Sequence, residues 1–151
     1  LRTTTMTKSL LLGILLMTTN SYSLVLDNFT RAELECKCKA IHLDAPSLDN
    51  LALRLQVLRT SFGRALNVNS AYRCKDHNSR SGGVKDSKHV LGQAADISTV
   101  GWTSEDRSRF IRLATGLGFG GIGINNKQQY IHIDLRSVGM LWLYKEAKTG
   151  D

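Results

Sequence analysis

The sequence predicts an α+β domain: a small antiparallel sheet with helices packed on one face. Three observations lead there. Leu48, Leu51, Ala52, Leu55, Leu58 and Phe62 recur at helical spacing, and Phe110, Leu113, Ala114 and Leu117 do the same. Ala65 to Tyr72, Ala94 to Ser98, Gly120 to Ile124 and Gln129 to Leu135 are short segments that alternate or run apolar, as strands do. At 151 residues with 42% hydrophobic and 22% charged content, the chain suits one globular domain able to bury its own core. A single proline and the absence of repeats argue against a linker-rich or solenoid protein.

The elements follow in order. Met6 reads as the start, with 1–5 as upstream read-through. Lys8, the apolar run Leu10 to Met17 and the small residues Ser21 and Ser23 make 1–23 a signal peptide, the run being too short for a transmembrane span. The competing reading is a buried or amphipathic N-terminal helix. Export leaves 24–151 as the working domain, periplasmic or secreted. Leu24 to Ala40 reads as an ordered strap with one helical turn near Asn28 to Leu34. Pro46-Ser47 opens the first long helix and Gly63 ends it. Ala65 to Tyr72 is a strand, Arg73 to Ser87 a polar loop of the kind that carries function, and Ala94 to Ser98 a short strand. Thr103-Ser104-Glu105-Asp106 caps a second helix that runs to about Gly116. Two strands then pair around Asn125-Asn126, and Val138 to Tyr144 closes the chain as an apolar segment.

The net charge is +7, and Arg2 and Lys8 are the charges of 1–23, so 24–151 carries +5. The basic residues are spread rather than blocked. They suit a solvated surface or attraction to an acidic polymer. No basic run is interleaved with aromatics, so no nucleic-acid partner is expected. Nor is a stable membrane span, and the expected oligomeric state is a monomer. Cys36, Cys38 and Cys74 form an odd set. One disulfide from Cys74 to Cys36 or Cys38 with a third free thiol, or a free trio, is expected ahead of a metal set, because the spacing lacks a fourth ligand. His42 reads as solvated, and His77 as a loop residue that orders local structure or borders a cleft.

The segment from Ser87 to Asp96 reads Ser-Lys-His-Val-Leu-Gly-Gln-Ala-Ala-Asp, and a second segment reads Tyr130-Ile131-His132-Ile133-Asp134. A catalytic zinc takes three ligands from His, Asp, Glu or Cys and keeps a position open. His89, Asp96 and His132 meet that requirement. Gly92, Ala94 and Ala95 lack bulk, so the chain can bring His89 and Asp96 to one point. Tyr130, His132 and Asp134 share one strand face and Ile131, Ile133 and Leu135 the other, which turns His132 and Asp134 toward a cleft at the sheet. Taken singly, His89 is an ordinary loop histidine and Asp96 a turn or cap residue.

Upstream stand Ser70-Ala71-Tyr72-Arg73-Cys74, His77-Asn78 and Gly82-Gly83-Val84. With the His/Asp segments, this order resembles peptidase family M15, subfamily A, from about Asn28 to Trp142. The family comprises zinc D-Ala-D-Ala carboxypeptidases and murein endopeptidases, including periplasmic enzymes and phage lysins. The resemblance implies a zinc peptidase domain over 24–151 that cuts peptidoglycan peptides, with His89, Asp96 and His132 on the metal. It implies that Arg73 steadies a substrate carboxylate or oxyanion, against the reading of a surface arginine in an ion pair. Ser87 supports the site through a hydrogen bond to Asp96 or a zinc ligand, or else caps a helix. Tyr130 and Gln129 stand where much of the family carries a base, so Asp134 is the candidate base. Two readings compete with that: Asp134 orients His132, or the protein holds zinc without turnover. A non-catalytic wall- or peptide-binding module is therefore the alternative to an enzyme.

Overall fold

A computed structural model describes residues 27–38 and 40–145, so the proposed leader lies outside the described residues. The chain runs α1 (Arg31–Leu34), α2 (Asp49–Phe62), β1 (Val68–Ser70), α3 (Lys75–Arg80), β2 (Ala94–Ser98), α4 (Ser104–Gly116), β3 (Gly121–Asn125), β4 (Tyr130–Asp134) and β5 (Met140–Leu143). Each long helix has a local reason to exist. The stripe from Leu51 to Phe62 gives α2 one continuous buried face. α4 starts at a reciprocal cap: the Thr103 hydroxyl accepts from the Asp106 amide at 3.1 Å, and the Asp106 carboxylate accepts from the Thr103 amide at 3.0 Å.

The five strands form one sheet in the order β1-β2-β4-β3-β5. All neighbours are antiparallel except β5, which runs parallel to β3 and makes the sheet mixed. Alternation along the strands splits the sheet into two faces. Ile97, Ile122, Ile131 and Ile133 join Leu51, Leu55, Leu58, Phe62, Phe110 and Ala114 in one core, so α2 and α4 cover that face. Phe62 and Phe110 close on Trp102 with ring centroids 4.8 and 5.1 Å apart. The opposite face carries the polar residues of β2 and β4.

Two details differ from the expected elements. The strand expected over Ala65 to Tyr72 is regular only from Val68 to Ser70, because its register with β2 shifts within that stretch. The loop expected over Arg73 to Ser87 contains α3, whose first turn is held by the Cys74 sulfur accepting from the His77 amide at 3.3 Å. Among the described residues no helix is long and apolar enough to cross a membrane.

Leu55 is fully buried between α2 and the sheet. Leu55→Ala should cost about 2–5 kcal/mol, read as a lower denaturant midpoint at unchanged slope. A variant as stable as the parent would contradict this core assignment.

Candidate active site

β2 and β4 set Asp96 opposite His132, β3 sets Gly123 opposite His132 on its other side, and β5 sets Trp142 beside Gly123. One row across the sheet therefore reads Asp96, His132, Gly123, Trp142. The next pairs Ala94, Asp134, Gly121 and Met140. The two glycines are needed for space. A Cβ at Gly121 would overlap the Asp134 carboxylate, and one at Gly123 would overlap the Trp142 ring. β3 thus places glycine where the polar face needs room and Ile122 where the core needs bulk.

His89 arrives from the loop before β2. The Ser87 hydroxyl accepts from its amide at 3.3 Å, and its carbonyl accepts from the Arg73 amide at 3.2 Å. Gly92, at φ 66°, turns the chain back against Pro46 and Leu48. Ser87 is accordingly buried and bonded to the backbone of His89. Asn78 stiffens the same loop by donating its side-chain amide to the Val84 carbonyl at 2.9 Å.

These elements bring His89, Asp96 and His132 to one point. His89 Nε2 and His132 Nδ1 are 3.1 Å apart, His89 Nε2 and Asp96 Oδ1 3.2 Å, and His132 Nδ1 and Asp96 Oδ1 2.9 Å. Donors bound at zinc distances in tetrahedral geometry stand about 3.4 Å apart, so the triangle needs to open only slightly to hold an ion. The outer nitrogens fix the tautomers. The Ala71 carbonyl lies 2.6 Å from His89 Nδ1 and can only accept, so that nitrogen carries the proton and Nε2 presents a lone pair. His132 Nε2 donates to Asp134 at 3.1 Å and leaves Nδ1 facing the triangle. The donor set fits a metal with an open position: three buried groups converge with their ligating atoms inward.

The charges are balanced locally. Burial would raise the Asp96 carboxyl, but the His132 and His89 rings beside it outweigh that and hold the group well below the usual carboxylate range. Burial likewise opposes ionisation of Asp134, and hydrogen bonds from His132 and Arg136 reverse the effect. For His132, burial favours the neutral ring, yet its bonds to Asp134 and Asp96 pull it above the ordinary imidazole value. Arg136 is the residue the sequence reasoning missed. Its Nε and Nη2 fork onto Asp134 at 2.8 and 2.6 Å, and its amide donates to the same carboxylate at 3.0 Å. The available signal was an arginine two residues beyond Asp134, where the strand ends.

Asp134 therefore sits on the far nitrogen of His132, fully buried and clamped. Its carboxylate contacts the side of the imidazole opposite the triangle. Arg73 stands beside the triangle with Nη2 3.7 Å from Asp96 Oδ2, and its buried Nε has no partner. The triangle opens on a cleft of about 590 Å³ lined also by Arg73, Asp86, Lys88, Tyr130, Trp142 and Tyr144. His77 belongs to α3, where its Nδ1 lies 3.2 Å from the Cys36 sulfur. The expectation of a solvated His42 is corrected: its ring is half-buried, with Nε2 2.8 Å from the Cys38 sulfur. The three cysteines are not joined by a disulfide.

His132→Ala should lower bound metal by one equivalent per chain in elemental analysis, and full retention would remove His132 from the ligand set. Asp96 and Asp134 together favour the charged His132 ring, and metal uptake must displace its Nδ1 proton while the Nε2 proton stays on Asp134. Affinity should therefore rise as pH rises through the elevated His132 value, with proton release visible as a buffer-dependent heat in calorimetry. Gly121→Ala should push Asp134 off His132 and weaken metal binding by about 10–100-fold.

Residues 27–134 match the family model described as Peptidase M15. No curated protein matches the chain. The match covers most of the chain and contains all three triangle residues together with Arg73, Ser87 and Asp134. The chain therefore belongs to the peptidase M15 family, a family of metallopeptidases.

Proposed function

We propose that this protein is a zinc peptidase that hydrolyses peptide bonds in peptidoglycan stem peptides or cross-links. The observation that carries the reading is the triangle of His89, Asp96 and His132, buried at its base and open toward a cleft. Two imidazoles and one carboxylate with an open position form a donor set suited to catalytic zinc. The chemistry such a site supplies is Lewis acidity toward a scissile carbonyl and an acidified water.

The chain's own residues do the rest. Asp134 and the Ala71 carbonyl hold the two rings in the ligating tautomer. His132 and Arg136 together keep Asp134 ionised, and Arg136 holds its carboxylate against the His132 ring. Arg73 holds a guanidinium next to Asp96, where a substrate oxygen or terminal carboxylate would meet it. Arg73 and Lys88 place cations on the cleft wall beside the carboxylates of Asp86, Asp96 and Asp134, and Tyr130, Trp142 and Tyr144 give it an aromatic wall. Stem peptides are anionic and extended, so the wall cations can meet them, and the net charge of +5 on 24–151 favours an anionic wall polymer. Export through the leader at 1–23 is part of the same proposal.

One observation favours the second reading, a non-catalytic peptide-binding module: the carboxylate nearest the triangle is already engaged by Arg136. Asp86 is the remaining carboxylate of the cleft wall, and it is exposed. Digestion of purified peptidoglycan with and without chelator, read by mass spectrometry of the released muropeptides, separates the two. Asp134→Asn should weaken metal binding by about 10–100-fold and recover turnover at high zinc. If instead the variant keeps its metal and loses about a hundredfold or more in rate, Asp134 is the base. The same loss in Asp86→Asn would place the proton there. A parent chain that binds metal but releases no fragment is a binding module.

A further inference from the structure

The described residues contain a second convergence of ligating atoms, made of residues that do not line the cleft. Cys36, Cys38 and His42 come from the strap before α2, and Cys74 from the residue that caps α3. Their Sγ and imidazole nitrogen atoms all lie within 4.8 Å of one another. The spacing of the three cysteines alone offers no fourth ligand. His42 stands where a fourth donor would be needed. We propose that Cys36, Cys38, His42 and Cys74 hold a structural zinc ion, independent of the peptidase site.

The spacing is that of ligands. Thiolates bound to one tetrahedral zinc stand about 3.8 Å apart. The Cys36 and Cys38 sulfurs are 3.5 Å apart, and those of Cys38 and Cys74 are 3.8 Å apart. A disulfide would bring one pair to about 2.05 Å. His42 Nε2 lies 2.8 Å from the Cys38 sulfur and completes a closed set of four, leaving no position for a substrate.

The surroundings are those of thiolates. The Cys74 amide donates to the Cys36 sulfur at 3.3 Å, and the His77 amide donates to the Cys74 sulfur at 3.3 Å. Such bonds stabilise negative charge on sulfur and fix ligand direction. The His77 ring stands against Cys36 at 3.2 Å as a further support.

The strap also needs such an anchor. Its regular structure is the single turn of α1, and beyond it Ile41 and Leu43 stay almost fully exposed. An ion on these four residues would tie the strap to Cys74, next to Arg73, and so brace one wall of the cleft.

Zinc alone is the probe, on the full chain purified under reducing conditions. The expected result is two equivalents of zinc, with the three thiols shielded from alkylation until a chelator is added. Replacement by cobalt should give thiolate-to-metal charge-transfer absorption, which the His89, Asp96 and His132 site cannot produce. His42→Ala and Cys38→Ser should each lose one of the two equivalents together with that absorption, while His132→Ala should lose the other equivalent and keep it. Should the cysteine variant fail to fold, the cobalt spectrum and alkylation of the parent chain decide alone. Rapid alkylation of zinc-loaded protein, or a disulfide among the three cysteines with no cobalt–thiolate absorption, would overturn the proposal and leave the peptidase reading untouched.

Discussion

The pairing of β2 with β4 in one register sets the positions of everything else in the cleft. Asp96 stands opposite His132, so two of the three converging donors come from neighbouring strands at a fixed separation. The same register sends Ile97, Ile131 and Ile133 into the core. Because side chains alternate, a slip by one residue would turn His132 into the apolar layer and expose an isoleucine in its place. Core burial therefore enforces the site geometry: the apolar face under α2 and α4 admits one register, and that register builds the triangle. β3 accommodates the result by carrying glycine at the two positions facing the polar row.

Two carboxylates and two imidazoles are buried within this small volume, an arrangement that is costly unless every charge is answered. The answers are arranged in series. Arg136 neutralises Asp134, Asp134 orients His132, and His132 with His89 shares Asp96, whose other oxygen faces Arg73. Removing a partner from such a chain leaves a charge buried without compensation, so the residues are coupled in stability as well as in function. A cation in the triangle would relieve the crowding of lone pairs at its centre, which links metal binding to folding.

How much of this was legible in the sequence depended on the range of the interaction. The stripe from Leu48 to Phe62 and the alternation from Tyr130 to Asp134 are local periodicities, and they located the core and the polar face correctly. The spacing between His89 and Asp96 made a shared ligand site readable, because small residues between them allow the return. Arg136 escaped notice because its role depends on where β4 ends: only once the chain leaves the strand can the guanidinium curl back onto Asp134. α3 was hidden by its polar, short sequence, which has no apolar stripe and depends on Cys74 as cap. The parallel pairing of β5 depends on the route of the chain past Gly120, which hydrogen-bonds the Met140 amide, and local pattern does not report routes.

The contrast is sharpest around Tyr72, Arg73 and Cys74, three adjacent residues anchored in three different ways. The Tyr72 amide donates to Leu34 in the strap, the Arg73 amide donates to the carbonyl of His89, and the Cys74 sulfur joins the cluster with Cys36, Cys38 and His42. The strap, the ligand loop and the cysteine cluster thus meet on one short stretch of backbone. Arg73 has a long side chain with much rotamer freedom, and ordering it on contact with any ligand would cost entropy. Fixing its backbone from both neighbours removes part of the cost before any substrate arrives. The side chain is itself largely enclosed, with Nε unpaired and Nη2 beside Asp96. A cation held this way is preorganised by the strap, which explains why a segment with so little regular structure is packed against the wall of the cleft.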